Sequence, residues 1–346
     1  MERVSTKITQ NNEFNVCSLS KLLCMFCVVI YHSVLYWHGG WFIGEPKKTS
    51  LFLDFISQWL NTFHIYTFTF VSGYLFYLNK YELQKYQNFK VYVFLRMKKL
   101  LIPYFFVSLI WVIPLSMPFY HWTAKDLMYN FLFMCKPSQL WFLPMLFWVS
   151  CVSYYLKDVF YYHGFISFFL LVALYFFGVV SSRIMPDFFQ LQTALIFVLY
   201  YFLGFKTCQY KDNLLSRIPC YVYIVVDLLL FALLFFLKLP KLLRFVLIYF
   251  LHVLGCFMVF YVSSFFSRKQ LEKKSINGLF EFFSGKTMEI YLFHQQIIYY
   301  IIFLLNGIIA PVFHGVINFF CSIFVSTLIS ILFSRNKYTK ILIGKK

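Results

Sequence analysis

The sequence predicts an all-α protein that crosses a membrane several times as one helix bundle. Of its 346 residues, 61% are hydrophobic and only 13% are charged, and the mean hydropathy is +0.71. A soluble domain of this length could not bury so much apolar surface. Apolar runs of about 20 residues, enough to cross a hydrocarbon core of roughly 30 Å as helices, recur along the whole chain. We therefore predict one integral membrane domain over residues 1–346, without a linker.

Ten candidate spans follow one another in the sequence. They cover residues 18–37, 51–78, 100–117, 139–156, 165–181, 190–205, 219–237, 244–266, 288–306 and 308–333. Two places are irregular, because Pro144 interrupts the fourth span and only Asn306 and Gly307 separate the last two. No small-residue cleavage site follows the first span, which favours a retained anchor over a signal peptide.

The distribution of basic residues predicts the orientation. If the N-terminus is cytoplasmic, most of the 31 Lys and Arg residues fall in cytoplasmic segments, as the positive-inside rule requires. Both termini are then cytoplasmic. Because topology explains where these charges lie, the net charge of +18 does not indicate a nucleic-acid partner.

The nine cysteines do not form a recognisable framework. Most of them lie in or beside apolar spans, which is typical of small packing residues. Cys24 and Cys27 form a Cys-x-x-Cys pair inside the first span, with no second pair of Cys or His ligands nearby. The sequence therefore predicts no metal site.

Two ionisable residues share one face of the first span. Lys21 and His32 are eleven residues apart, which is a rotation of only about 20° beyond three full turns and about 16 Å of helix rise. Ionisable groups inside a membrane are costly and mark candidate functional sites. Histidine is well suited to take a proton from a hydroxyl near neutral pH, although a lone buried histidine can also serve packing or hydrogen bonding alone.

Further polar residues leave two interpretations open. The second span carries Asp54, Gln58, Asn61 and Ser72 within about 60° of helix face and ends in Ser72-Gly73-Tyr74, which fits either helix packing or a ligand. The six cations of residues 80–99 could bind anionic lipid or the phosphates of a donor nucleotide. Asp227 and His294, inside later spans, have no role that spacing alone assigns.

Five motifs follow one another over nearly the whole chain. They are Lys21 with His32, Phe63-His64 leading to Ser72-Gly73-Tyr74, Arg96-x-x-Lys99 before Pro103, Leu140-Trp141-Phe142-Leu143, and Tyr291 to His294. In this order they resemble the acyltransferase 3 family of integral membrane acyltransferases, which includes polysaccharide O-acetyltransferases and fucose 4-O-acetylase-like proteins. Lys21 and Lys99 replace the commoner arginines, and Ile65-Tyr66 replaces a Met-Pro step. Lysine keeps the charge but loses the two-pronged guanidinium geometry, so phosphate binding would differ.

The resemblance implies an acyltransferase that moves an acyl group, preferentially acetyl, from acetyl-CoA to a hydroxyl of a surface or capsular polysaccharide or its lipid-linked precursor. It places the enzyme in a bacterial cytoplasmic membrane, with the bilayer and both substrates as partners and without a tightly bound cofactor. His32 would be the general base or transient acyl carrier, assisted by Lys21. Substrate-binding roles would fall to His64, Ser72, Gly73, Tyr74, Trp141 and His294, and donor binding to Arg96, Lys98 and Lys99.

A transport function is the alternative, because some proteins resembling this family are described as polysaccharide exporters. A transporter is expected to have broken helices and a continuous polar path. The sequence has one localised group of polar residues and no visible internal repeat. Both observations favour an enzyme over a transporter.

Overall fold

The computed structural model describes residues 2–41, 43–211, 219–270 and 274–345. Arg217, Lys273 and Lys346, which belong to segments predicted to be cytoplasmic, lie outside these ranges. The described residues form no β-strand, and their regular structure is helical. The α-helices are α1 Glu2–Val34, α2 Leu51–Asn61, α3 His64–Tyr77, α4 Phe89–Arg96, α5 Ile102–Val107, α6 Ile113–Ser116, α7 Ala124–Leu127, α8 Phe142–Tyr155, α9 Lys157–Tyr162, α10 Gly164–Ile184, α11 Leu191–Gln209, α12 Cys220–Phe236, α13 Lys241–Gln270, α14 Lys274–Ser284, α15 Thr287–Leu305, α16 Pro311–Phe333 and α17 Lys337–Leu342.

Among the described residues, seven helical segments are long and apolar enough to cross a membrane. They are Asn12–His38, Phe89–Ser116, Gly164–Ile184, Phe188–Gln209, Lys241–Ser267, Thr287–Leu305 and Pro311–Phe333. Helix α12 is apolar but shorter, and the predicted spans 51–78 and 139–156 fall on the shorter helices α2, α3 and α8. The predicted all-α, multi-pass membrane fold is confirmed, while the count of ten spans and the side of each terminus stay predictions.

The second predicted span is broken between α2 and α3. Helix α2 ends at Asn61 and α3 begins at His64, so the polar residues of this region do not share one continuous helix face. Two imidazoles bind carbonyl oxygens at the break: His64 Nδ1 lies 2.5 Å from Leu60 O, and His252 Nδ1 lies 2.6 Å from Thr62 O. Because a free carbonyl inside a membrane is costly, these two contacts stabilise the break.

Two prolines shape the third span. Within Phe89–Ser116, wide π-turns over Met97–Leu101 and Ser108–Val112 interrupt the α-helix. Each π-turn ends just before a proline, Pro103 or Pro114, whose nitrogen cannot donate the ordinary helical hydrogen bond. The ladder shifts instead, so that Ile102 N–H bonds to Met97 O. The first π-turn carries Lys98 and Lys99, so the prolines influence where these cations project.

The centre of the bundle is built around α1 and a close helix pair. Helix α1 packs against α2, α3, α13, α15 and α16. Helices α3 and α11 touch backbone to backbone, since a Cβ at Gly73 would lie 1.9 Å from Tyr201 O and one at Gly204 would lie 1.8 Å from Phe70 O. The face of α1 that carries Lys21 and His32 is turned toward α15, α8 and the turn before α8.

Candidate active site

The first structural feature of the site is a pair of histidines from the two ends of the chain. His32 Nδ1 lies 2.9 Å from His294 Nε2, across a sequence separation of 262 residues. His294 is fully buried, and its Nδ1 lies 2.8 Å from Tyr291 O and 3.0 Å from Ile290 O on its own helix. The pair therefore joins α1 to α15 inside the bundle.

The hydrogen bonds assign the tautomers of this histidine pair. Carbonyl oxygens only accept, so His294 Nδ1 carries the proton and its Nε2 is the acceptor. His32 Nδ1 must then donate to His294 Nε2, and the proton-free nitrogen of His32 is Nε2. A partner that fixes an imidazole in this way prepares it to take a proton from a substrate.

His32 opens into a cavity of about 450 Å³, which we call the histidine cavity. Three indole rings, two phenol rings and four side-chain amides contribute most of its wall. The lining residues are His32, Leu35, Trp41, Val112, Ser116, Tyr120, Trp122, Asn130, Lys136, Ser138, Gln139, Trp141, Gln295, Gln296 and Tyr299. A tight turn in which Trp41 and Gly44 exchange backbone hydrogen bonds of 2.9 and 2.8 Å holds the Trp41 ring parallel to His32.

A second cavity of about 250 Å³, the lysine cavity, lies around Lys21. Its cations are Lys21, Arg96 and Lys99, and no carboxylate is among the described residues that line it. The other lining residues are Ser18, Phe68, Ser72, Leu100, Phe142, Leu143, Leu146, Ser284, Thr287, Met288 and Tyr291. Lys21 and His32 thus share one helix but face two different cavities.

A third cavity of about 850 Å³, the basic cavity, adjoins the lysine cavity, because Arg96 and Lys99 line both. Lys85, Lys98 and Lys345 add three more cations, and again no carboxylate lines it within the described part of the chain. The Arg96 guanidinium lies 5.0 Å from the ring centroid of Tyr92, an arrangement that holds the charge by a cation–π interaction.

A thin polar layer separates the lysine cavity from the histidine cavity. Tyr291 lines the former, and its hydroxyl donates to the carbonyl of Gln139, which lines the latter. The Gln139 amide continues the layer, with its Nε2 2.7 Å from Gln296 Oε1. His294 stands one helical turn from Tyr291, so the histidine pair lies beside this layer.

The predicted site residues divide among these three cavities. Trp141 lines the histidine cavity, Ser72 the lysine cavity and Lys98 the basic cavity. His64, Gly73, Tyr74 and His294 line none of them, and His294 instead contacts His32, which lines the histidine cavity. His64 binds the Leu60 carbonyl, Gly73 lies at the contact with α11, and the Tyr74 ring packs 4.9 Å from the Phe260 ring.

Two polar groups at the periphery have local explanations. Asp227 is buried away from these cavities and accepts a hydrogen bond of 2.8 Å from Trp59 Nε1.

Glu13, Glu82 and Cys208 lie close enough to hold a metal ion, but Lys211 Nζ lies 2.5 Å from Glu13 Oε1 and 2.8 Å from Glu82 Oε1. Burial alone would lower the pKa of Lys211, yet the hydrogen bonds to both carboxylates raise it above its ordinary value.

Sequence reasoning missed several residues of the histidine cavity. Gln295 and Gln296 directly follow His294 inside an apolar span, and their polarity was the available signal. Trp41 and Gln139 gave no such signal. Trp41 lies in a connecting segment and Gln139 in the short 3-10 turn Ser138–Trp141 before α8, and only the tertiary fold brings them to His32.

Nearly the whole chain matches one known protein family. Residues 18–335 match the family model described as an acyltransferase domain, acyltransferase 3. The chain belongs to the acyltransferase 3 family. It is therefore a multi-pass membrane acyltransferase, and the matched range contains the histidine pair and all the predicted site residues. No curated protein and no solved structure matches this acyltransferase.

Proposed function

We propose that this acyltransferase moves an acetyl group from acetyl-CoA to a hydroxyl of a cell-surface polysaccharide, or of its lipid-linked precursor, in a bacterial cytoplasmic membrane. The observation that carries the proposal is the position of the histidine pair. It lies between a cavity lined by cations and a cavity lined by aromatic rings and amides. A polyanionic donor and a neutral hydroxylated acceptor need those two kinds of surface.

Charge supports donor binding in the basic and lysine cavities. Six cations line the two cavities together, namely Lys21, Lys85, Arg96, Lys98, Lys99 and Lys345. The phosphates of coenzyme A are strong acceptors for such groups. In this arrangement Lys98 and Lys99 bind phosphate in the basic cavity, Arg96 spans both cavities, and the thioester extends past Lys21 toward Tyr291.

The composition of the histidine cavity supports a sugar acceptor. The flat apolar faces of Trp41, Trp122 and Trp141 offer surfaces on which a sugar ring can stack. The amides of Gln295 and Gln296 supply donors and acceptors that match sugar hydroxyls. If the N-terminus is cytoplasmic, the C-terminal end of α1 places this cavity toward the outer side of the membrane.

The chemistry follows from the tautomers. His32 Nε2 takes the proton of the acceptor hydroxyl while the hydroxyl oxygen attacks the thioester carbonyl carbon. The new C–O bond forms, the C–S bond breaks, and the imidazolium of His32 returns the proton to the departing thiolate. Throughout the reaction, His294 Nε2 accepts the hydrogen bond that His32 Nδ1–H donates, and this bond stabilises His32 when its imidazole is charged.

The test is NMR of the surface polysaccharide from cells with the intact gene, a deletion, and His32→Ala. We expect one O-acyl ester signal to disappear in both mutants while polymer is still exported. His163→Ala is the matched control, since His163 is an exposed loop histidine outside the three cavities, and it should keep the signal. Unchanged esters with polymer held inside the cell would overturn the proposal in favour of export.

A further inference from the structure

The segment after the last long helix forms part of the basic cavity. We call residues 337–345 the strap; it consists of α17 and the three residues that follow. Ile341, Gly344 and Lys345 of the strap line the basic cavity beside Lys98 and Lys99. The strap lies after residue 335, where the family match ends, so the match assigns it no role.

The strap is packed against the cation-bearing π-turn. Ile343 is fully buried in the main hydrophobic core. Gly344 has a φ of +78°, and a Cβ there would lie 2.9 Å from Lys99 O and 3.1 Å from Pro103 Cγ. Only a glycine fits both the backbone conformation and the close approach. The strap therefore lies directly on the turn that presents Lys98 and Lys99.

An ion pair between a half-buried lysine and a buried glutamate holds the strap in place. Lys345 Nζ lies 3.1 Å from Glu289 Oε1, 2.9 Å from Ser334 Oγ and 3.3 Å from Ser330 Oγ. The Glu289 side chain is only 2% exposed, and Lys345 provides the one ion pair that the described residues give it. Glu289 lies in the first turn of α15, two residues before Tyr291, so the pair connects the strap to the helix that carries His294.

We propose that the strap is a wall of the donor site, and that the Lys345–Glu289 pair positions it against the π-turn so that Lys98 and Lys99 meet the donor's phosphates. This rests on the proposed function, because it takes a polyanionic nucleotide thioester as the donor. Lys345 acts as a positioning residue, since its ammonium is already bound by the carboxylate and two hydroxyls.

Donor kinetics of purified protein in nanodiscs test the proposal. For Lys345→Met we expect the KM for acetyl-CoA to rise about tenfold with kcat nearly unchanged, and the KM for S-acetylpantetheine, which lacks the phosphorylated nucleotide, to stay unchanged. Lys345→Arg should recover the wild-type KM. Lys337→Met is the matched control, because it removes the same charge from an exposed position of the strap that lines none of these cavities. A wild-type KM in Lys345→Met, or an equal rise for both donors, would overturn the proposal.

Hydrogen–deuterium exchange of the wild-type protein is a second test, and it does not depend on the folding of any variant. Acetyl-CoA should slow exchange in residues 341–345 together with residues 97–101. Protection of the π-turn without the strap would overturn the strap proposal and leave acetyl-CoA as the donor. No binding of acetyl-CoA to the wild-type protein would overturn the proposed donor and, with it, the strap's role.

Discussion

Replacing His294 by Phe should slow acyl transfer without weakening donor binding. Phenylalanine keeps a ring of similar size and removes both nitrogens, so His32 loses the acceptor 2.9 Å from its Nδ1. When His32 carries the hydroxyl's proton, that bond is charge-assisted and fully buried on the His294 side, and is worth about 1.5–3 kcal/mol. Because about 1.4 kcal/mol corresponds to tenfold in rate, kcat should fall roughly 10- to 150-fold.

The assay is steady-state turnover of the purified enzyme in nanodiscs. Radiolabelled acetyl-CoA is the donor, and polymer extracted from the deletion strain is the acceptor. His252→Phe is the matched control, since His252 is also buried and its Nδ1 also binds a backbone carbonyl, at 2.6 Å, but it does not contact His32. That control should lower thermal stability while folded protein keeps its kcat.

Combining His294→Phe with His32→Ala should cost no more than His32→Ala alone, because the two rings act as one unit. Unchanged kcat in His294→Phe would refute the positioning role. So would strictly additive losses in the double variant, since they would mean that His294 acts independently of His32.

Three further variants probe the surrounding structure. Arg96→Met should raise the KM for acetyl-CoA about tenfold, and added salt should reduce the difference in KM between the variant and the wild type. Donor titrations at two ionic strengths measure both effects. Gly73→Leu should prevent folding, because its Cβ alone would lie 1.9 Å from Tyr201 O; size-exclusion chromatography after extraction checks this. Lys211→Met should lower stability by about 1–3 kcal/mol, because Glu13 and Glu82 lose their shared cation, and Tm reports it. Since the pKa of Lys211 is raised, its contribution should be complete at neutral pH and disappear only as strongly alkaline pH passes that pKa.

The membrane fold could be predicted because lipid leaves the backbone few choices. Every predicted span falls on helical structure, as expected where unpaired backbone groups are too costly. The break at Thr62 and Phe63 could not be predicted, because His252, 190 residues away from Thr62, supplies the hydrogen bond that stabilises it. The helical segment of the third predicted span also begins at Phe89, well before residue 100, because the Asn88 side chain caps it by accepting from Lys90 N–H at 2.8 Å.

Helical period alone predicted that Lys21 and His32 share a face, and both do lie on α1. Their division between two cavities depends on what packs across α1 between them, which is the Tyr291 and His294 turn of a helix far away in sequence. A motif can point to these residues one by one. It does not reveal that the late histidine is a partner of the early one, because that fact lies in their contact and not in either local pattern.

The glycine contact between α3 and α11 has a mechanical consequence. Gly73 rests on the carbonyl of Tyr201 and Gly204 rests on the carbonyl of Phe70, so each helix fits the other at two points three residues apart. Sliding or rotating either helix would push a side chain into the backbone of the other. Helices α3 and α11 therefore move as one rigid unit. Substrates entering this bundle must therefore be admitted by yielding elements elsewhere, and the π-turned, proline-interrupted segment Phe89–Ser116 is built with the looser hydrogen-bond ladder that such bending needs.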